Sequence, residues 1–465
     1  MAQMIKRMFL ALAVAMLFAG CSTVQVSERP ESRPIQTLDP AFLQARELAA
    51  NDAVLSGQAK ADNARQIERL LSGLDNATLS GNTAALAAGD PLYAFAGRAL
   101  LRRGLPLPRP FDRGAQWRFD AGNRPPADRD GYRPPLRLAV LLPLSGSLAT
   151  AAAPVRDGLL AGYYGERRTR PEIQFYDTAG TAGGAVAAYS RAAAEGNDFV
   201  VGPLGRDEVS ALFNQGNLSV PMLALNRGNV SPPAGNASFS LTPEDEAISA
   251  AEYLLGRNAR RVLVLGGGDV GMRRAVAAFR ERFGERGGVV VDALTVNDKA
   301  DGLLPALQAA AAKEGGIDAI FFAGKGSQAH VAVPMLAAAG LNGKPRVATS
   351  QVMSGTGKVE QDRVLDGIIF PSDAWSARGA SGLPAASTTG QTLPTARGPA
   401  ARLFAFGYDA WLITAYLERL ATGSDAQVQG ATGDLRIDGF GNIMRTPAWS
   451  TFSGGVAMPL SSGGG

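Results

Sequence analysis

Few residues in this chain can do covalent or metal chemistry. His330 is the single histidine and Cys21 the single cysteine among 465 residues. A serine–histidine relay would have to use His330, which stands between Ala329 and Val331 in a predicted helix, and no Gly-x-Ser-x-Gly elbow occurs. Zinc and iron sites of the usual kind need several His or Cys ligands, so no metal and no cofactor is expected. The polar side chains that remain of interest sit in loops following apolar runs. Ser145 and Ser147 follow the run 138–142, Arg206 and Asp207 follow 198–201, and Asn226 and Arg227 follow 220–224. Short hydroxyls beside backbone N–H groups can hold a carboxylate, and a guanidinium can grip an anion with two parallel hydrogen bonds. These six are the candidate cleft residues. Arg206 can alternatively pair with Asp207 or Glu208 and fill the cleft itself.

Two glycine-rich stretches invite a phosphate reading. Gly266-Gly267-Gly268-Asp269-Val270-Gly271 fits G-x-G-x-x-G, follows an apolar run and opens a predicted helix, with Asp292 at the end of the next strand. It lies deep inside the alternating region rather than at its start. Its glycines are read as permitting a tight strand-to-helix turn, and an NAD-binding oxidoreductase ranks third among the functions considered. Gly355-Thr356-Gly357-Lys358 echoes a P-loop, but no glycine stands at 352 and Val359 replaces the hydroxyl residue. It is read as a loop.

The elements that must position these loops are regular. From Leu136 to Tyr164 the chain reads as buried strand, tight turn and helix. Strands are predicted at 137–142, 172–177, 198–201, 220–224, 261–265, 289–294, 317–322, 345–349 and 366–370, with helices between them. Such alternation gives parallel sheets covered on both faces, and nine strands call for two doubly wound lobes. The fold class is α/β, a two-lobed domain over 136–453 preceded by a short α-helical segment and a Pro/Arg-rich linker. The first lobe takes 136–241 and 371–436, the second 242–370 and 437–453, and the break falls at Thr242, a good N-cap before Glu244, Asp245 and Glu246. Residues 376–398 are expected to be a mobile loop, and 454–465 a disordered tail.

The front end reads as export and tethering. Lys6 and Arg7 precede an apolar stretch too short to span a bilayer, and Leu17-Phe18-Ala19-Gly20-Cys21 looks like a bacterial lipobox. Residues 1–21 are therefore a signal peptide and Cys21 the lipidation site, with Ser22 favouring the outer membrane. Residues 22–40 read as a flexible tether and 41–103 as a short helical region. Residues 104–135, dense in proline and arginine, read as an extended linker reaching on the order of 100 Å at ~3.1 Å per residue. Trp117 and Phe119 could dock on a neighbouring surface. A net charge of +4 for this length implies no nucleic-acid partner.

The motifs LLPLSGSLATAAAPVRDGLLAGYY, FYDTAG, DFVVGPLGRDEVSAL, PMLALNR, SLTPEDEA, GYDAWL and GATGDLRIDGFGNIMRTPAW resemble the penicillin-binding protein activator LpoA family, also called LppC lipoproteins. The likeness covers 136–453 and implies a type I periplasmic-binding-protein fold. It further implies a non-enzymatic outer-membrane lipoprotein that faces the periplasm and activates a bifunctional class A penicillin-binding protein, regulating peptidoglycan synthesis by protein contact. The family commonly carries a longer N-terminal repeat domain than 41–103 provides. The alternative is a lipid-anchored solute-binding protein of an amino-acid-type ABC transporter, in which the cleft residues would hold a small ligand.

Overall fold

Strand β1 (Arg137–Leu142) buries five consecutive apolar side chains, which is possible only where both faces of a sheet are covered. Each such side chain contributes about 1.5–3 kcal/mol by leaving water. The computed structural model describes residues 38–117, 124–297, 301–354 and 357–460. Around β1 lies a parallel sheet in the order β2-β1-β3-β4-β5, with β2 (Glu172–Asp177), β3 (Phe199–Val201), β4 (Met222–Ala224) and β5 (Ala237–Ser238).

The second sheet runs β15-β14-β10-β9-β8-β6-β7. Its parallel part is β6 (Arg261–Gly266), β7 (Val289–Thr295), β8 (Ala319–Ala323), β9 (Arg346–Ala348) and β10 (Ile368–Ser372). After β11 (Val428–Gln429), β12 (Asp434–Ile437) and β13 (Ile443–Thr446), strand β14 (Ala448–Ser453) returns antiparallel against β10, and β15 (Val456–Pro459) extends the edge. The nine predicted strands are all present, so the two doubly wound lobes stand. The disordered tail from 454 is corrected: Gly454 and Gly455 turn the chain at positive φ, and 456–459 pair with β14.

The lobe boundary also shifts. Residues 437–446 were expected in the second lobe, but β11, β12 and β13 form a separate small sheet whose Val428, Leu435, Ile437 and Ile443 pack into the first lobe's core. The return to the second lobe begins with β14.

Among the described residues, four helices precede the lobes: α1 (Pro40–Asn51), α2 (Gly57–Gly73), α3 (Asn76–Ala84) and α4 (Leu92–Arg102). Asp39 caps α1 by accepting from Ala41 N, and Pro40 opens it, as its fixed φ favours. The sequence reading missed α3, whose pattern is too polar to register as an apolar stripe; its start is set by Asp75, which accepts from Thr78 N.

The described part of 104–135 is not a free linker. Phe111, Trp117 and Tyr132 are all buried, Tyr132 Oη donates to Thr169 O at 2.9 Å, and Arg133 meets Glu418 at 2.8 Å. Aromatic residues spaced along the proline-rich chain give it apolar surface to bury, and that outweighs the freedom of an extended segment. The 100 Å reach expected of it is therefore corrected. Phe119 and Cys21 lie outside the described residues.

The lobes hold helices α5 (Ala149–Gly165), α6 (Ala182–Ala194), α7 (Arg206–Phe213), α8 (Pro243–Leu255), α9 (Val270–Glu285), α10 (Leu303–Ala311) and α11 (Gly326–Ala338). Then follow α12 (Val359–Asp362), α13 (Ala374–Arg378), α14 (Ala386–Thr392) and α15 (Ala400–Thr422). Helices α5 and α15 cross backbone to backbone: a Cβ on Gly158 would stand 1.9 Å from Phe404 O, and one on Gly407 1.9 Å from Val155 O. The segment 376–398, expected to be mobile, is folded. Trp375 Nε1 donates to Pro384 O at 2.8 Å, Tyr408 Oη to Ser381 O at 2.7 Å, and Thr395 Oγ1 to Asp157 at 2.7 Å.

Candidate functional site

The loops at the carboxyl ends of the first-lobe strands are where a two-lobed binding domain would hold its ligand. Here their donors are already taken. Leu144 N, Ser145 N and Ala179 N donate to Asp177 Oδ1 at 2.9, 3.2 and 2.8 Å, and Ser145 Oγ donates to Asp177 Oδ2 at 2.6 Å. The Ser145 hydroxyl and these N–H groups hold the Asp177 carboxyl below its ordinary range. Asp177 stands in for the carboxylate that a ligand would bring. The sequence reading chose Ser145 but missed Asp177, although the Asp-Thr-Ala-Gly run carries an Asx-turn signal. Ser147 stays exposed in the turn.

The other expected residues separate. Arg206 and Asp207 lie exposed in the first turn of α7, and among the described residues neither forms an ion pair, so the expected pairing is corrected. It is Glu208 that turns inward. Its carboxylate reaches back to accept from Gly205 N, the N-cap of α7, at 2.5 Å, and burial pushes its carboxyl up. Asn226 Nδ2 ties its loop to Leu204 O at 2.9 Å. Arg227 crosses to the second lobe, meeting Asp245 of α8 at 2.8 Å.

A buried ionic network joins the lobes nearby. Glu246 of α8 accepts from Ser350 N and Ser350 Oγ, each at 2.9 Å, and from Arg402 of α15. Arg445 of β13 lies 3.7 Å from Glu246 and 3.8 Å from Asp373, and donates to Thr432 O at 3.0 Å. Two carboxylates face two guanidinium groups. Burial raises the Glu246 carboxyl, but Arg402 and Arg445 outweigh it and hold the group down; for Asp373 burial wins and the carboxyl is pushed up. Removing one member leaves a buried charge without its partner, so the network resists separation of the lobes.

The preceding helices seat on the β12–β13 turn. Gly439 passes so close that a Cβ would lie 2.7 Å from Ala94 Cα, Phe95 packs edge-on against Phe440 at 4.7 Å, and Arg98 sits 4.2 Å above the Phe440 ring. Asp438 shapes the turn by accepting from Phe440 N at 2.9 Å and Asn442 N at 2.8 Å. Farther along, Ser72 accepts from Arg282 at 2.7 Å and donates to Glu285 at 3.1 Å.

The family model described as "LppC putative lipoprotein" matches residues 132–455. The chain belongs to the LppC family. Among curated relatives, the penicillin-binding protein activator LpoA of Photobacterium profundum is 27% identical over 362 residues, covering 70% of this chain and 57% of the relative. The chain thus spans little more than half the length of that LppC relative. The crystal structure of full-length LpoA from Haemophilus influenzae matches 90% of this chain and 78% of its own, at 19% identity and a TM-score of 0.62. A "putative branched-chain amino acid ABC transporter" structure from Chromobacterium violaceum matches 68% of this chain and 100% of its own, at 29% identity and a TM-score of 0.55. The fold is thus of the type I periplasmic-binding-protein kind.

In this LppC chain the glycine fingerprint has no room for a pyrophosphate. Gly267 N donates to Ala323 O at 2.8 Å, and Met272 Sδ and Gln328 Oε1 occupy the space above Gly267. Asp269 caps α9 by accepting from Met272 N at 2.9 Å, which uses one of the helix's first-turn donors. Asp292 sits in the middle of β7, not at its end, and pairs with Lys313 at 2.8 Å. Gly355 and Thr356 lie outside the described residues. His330 Nε2 lies 2.7 Å from Asp362 Oδ1 at the end of the short helix α12. No helix among the described residues is long and apolar enough to cross a membrane.

Proposed function

We propose that this chain is an outer-membrane lipoprotein, anchored by lipid on Cys21 and facing the periplasm, that activates a bifunctional class A penicillin-binding protein by protein contact and so regulates peptidoglycan synthesis. It acts as a regulator, not as an enzyme. Membership of the LppC family and the activator name of the relatives support this reading. The observation that carries it is the state of the interlobe region. Asp177 engages the donors of the first-lobe Ser145 loop, and the Glu246–Arg402–Arg445–Asp373 network bridges the lobes. A two-lobed fold tied up in this way is suited to presenting a surface. Affinity capture on the lipidated full chain from a detergent extract is expected to bring down a class A penicillin-binding protein; its consistent absence would remove the proposal.

The transport reading rests on the likeness to the Chromobacterium violaceum structure. It predicts that an amino acid raises the thermal midpoint of the chain by mass action and that Ser145→Ala abolishes the rise. With Asp177 already bound to Ser145, no rise is expected.

A further inference from the structure

Where α4, α8 and the β12–β13 hairpin meet, the structure forms a half-open cavity of about 500 Å³. The loop after β4 forms one side of it, and Arg227 in that loop is the one candidate cleft residue that lines it. Sites for small organic ligands are typically about 300–1,000 Å³ and combine apolar surface with a few convergent polar groups. This cavity has both. Tyr253 and Trp449 line it with ring centroids 4.3 Å apart, and Met444 and Ile248 add apolar surface.

Five arginines line it with three acids, Asp245, Glu252 and Asp438. Arg98 and Arg102 pair with Glu68 behind the wall, Arg227 pairs with Asp245, and Arg445 lies near Glu246 and Asp373. Arg436 gives Nε and Nη2 to the neutral Gln427 Oε1, at 3.2 and 2.7 Å, and among the described residues no carboxylate pairs with it. Arg98 Nε is buried without a hydrogen bond.

We propose that this cavity binds a small organic anion, its carboxylate or phosphate held by Arg227 and Arg436 and its flat apolar body laid against Trp449 and the edge of Tyr253, whose ring faces are covered by Trp449 and Arg257. An anion there would give Arg436 a charged partner, and the aromatic pair would shelter its apolar part from water. The site does not depend on the activation of a synthase, and its test uses this chain alone.

The probes are biphenyl-4-carboxylate and biphenyl-4-yl phosphate, with uncharged biphenyl-4-carboxamide as the neutral counterpart, titrated into the full chain by calorimetry. At least one anion is expected to bind with a dissociation constant of ~1 mM or tighter, and the stronger of the two identifies the head group. The carboxamide is expected to bind at least about tenfold more weakly. Arg227→Gln and Arg436→Gln are each expected to cost about tenfold, ~1.4 kcal/mol. Both side chains are partly exposed, so circular dichroism should find both variants folded. Trp449→Phe, which keeps a ring, is expected to weaken all three probes alike. Equal binding of the carboxamide, no binding of either anion at about 10 mM, or loss of binding in Arg206→Gln with Arg227→Gln unaffected would each overturn the assignment.

Discussion

Asp177 receives three hydrogen bonds from the loop that the sequence marks as a ligand cradle and a fourth from Ala179 N in its own turn. Asp177→Ala would release those donors. Because the carboxylate is exposed, the expected loss is modest, about 1 kcal/mol. Acetate at high concentration should recover part of it in a thermal melt, whereas the unaltered chain should gain nothing; a variant indifferent to acetate would contradict the role given to Asp177. A second residue, Asp409 of α15, is fully buried and accepts from Ala431 N, Thr432 N at 2.8 Å and Thr432 Oγ1 at 2.5 Å. Burial pushes its carboxyl up to about 7 from 3.8, against the pull of the Thr432 and Ala431 donors. The folded state therefore binds a proton more tightly than the unfolded one. This contribution is fully present below about pH 4, declines as pH rises, and is lost by about pH 7. Asp409→Asn removes that dependence and leaves one backbone donor facing an amide NH₂, costing about 1–3 kcal/mol. The gap in urea stability between unaltered chain and variant should narrow from pH 4 to 7. A gap that widens would contradict the assignment.

At the scale of elements, the crossing of α5 and α15 depends on Gly158 and Gly407, which leave no space for a methyl group. Gly407→Ala improves helix propensity by about 1 kcal/mol, yet it drives a Cβ into the Val155 carbonyl and must push the helices apart. The net expectation is a loss of about 2–4 kcal/mol, typical of overpacking against backbone, read as a fall in the denaturant midpoint; a stabilised variant would contradict the close approach. The strands and most helices of the two lobes were legible because buried parallel strands are continuous apolar runs and the helices between them carry periodic stripes. Thr242 marked a helix start for the same local reason that it caps it. What failed was everything decided by partners distant in sequence. Proline and arginine made 104–135 look free, although Trp117 and Tyr132 dock it. Low complexity made 376–398 look mobile, although Trp375 and Tyr408 hold it. In the site, Arg227 fell in a real cavity, but its pairing with Asp245 across the lobes and the buried place of Glu246 carry no local signal.

From Asp39 onward the described residues form one unit, in which four helices and two lobes are fastened at Asp438–Asn442 and at the Glu246 network. Glu246→Gln would leave Arg402 and Arg445 with Asp373 as their one carboxylate in the network and is expected to cost about 3 kcal/mol, with the lobes freer to separate. Scattering from that variant should report a larger radius of gyration than the unaltered chain, and an unchanged radius with unchanged stability would contradict the lock. A fixed body of this kind can raise the activity of a synthase only by docking on it. The most direct measurement is the rate of glycan-chain polymerisation by a purified class A penicillin-binding protein from the same cell, with and without an equimolar amount of this chain. The account predicts a rate increase that saturates with added chain and persists when no small ligand is supplied. A rate unchanged at every concentration of the folded chain would contradict it.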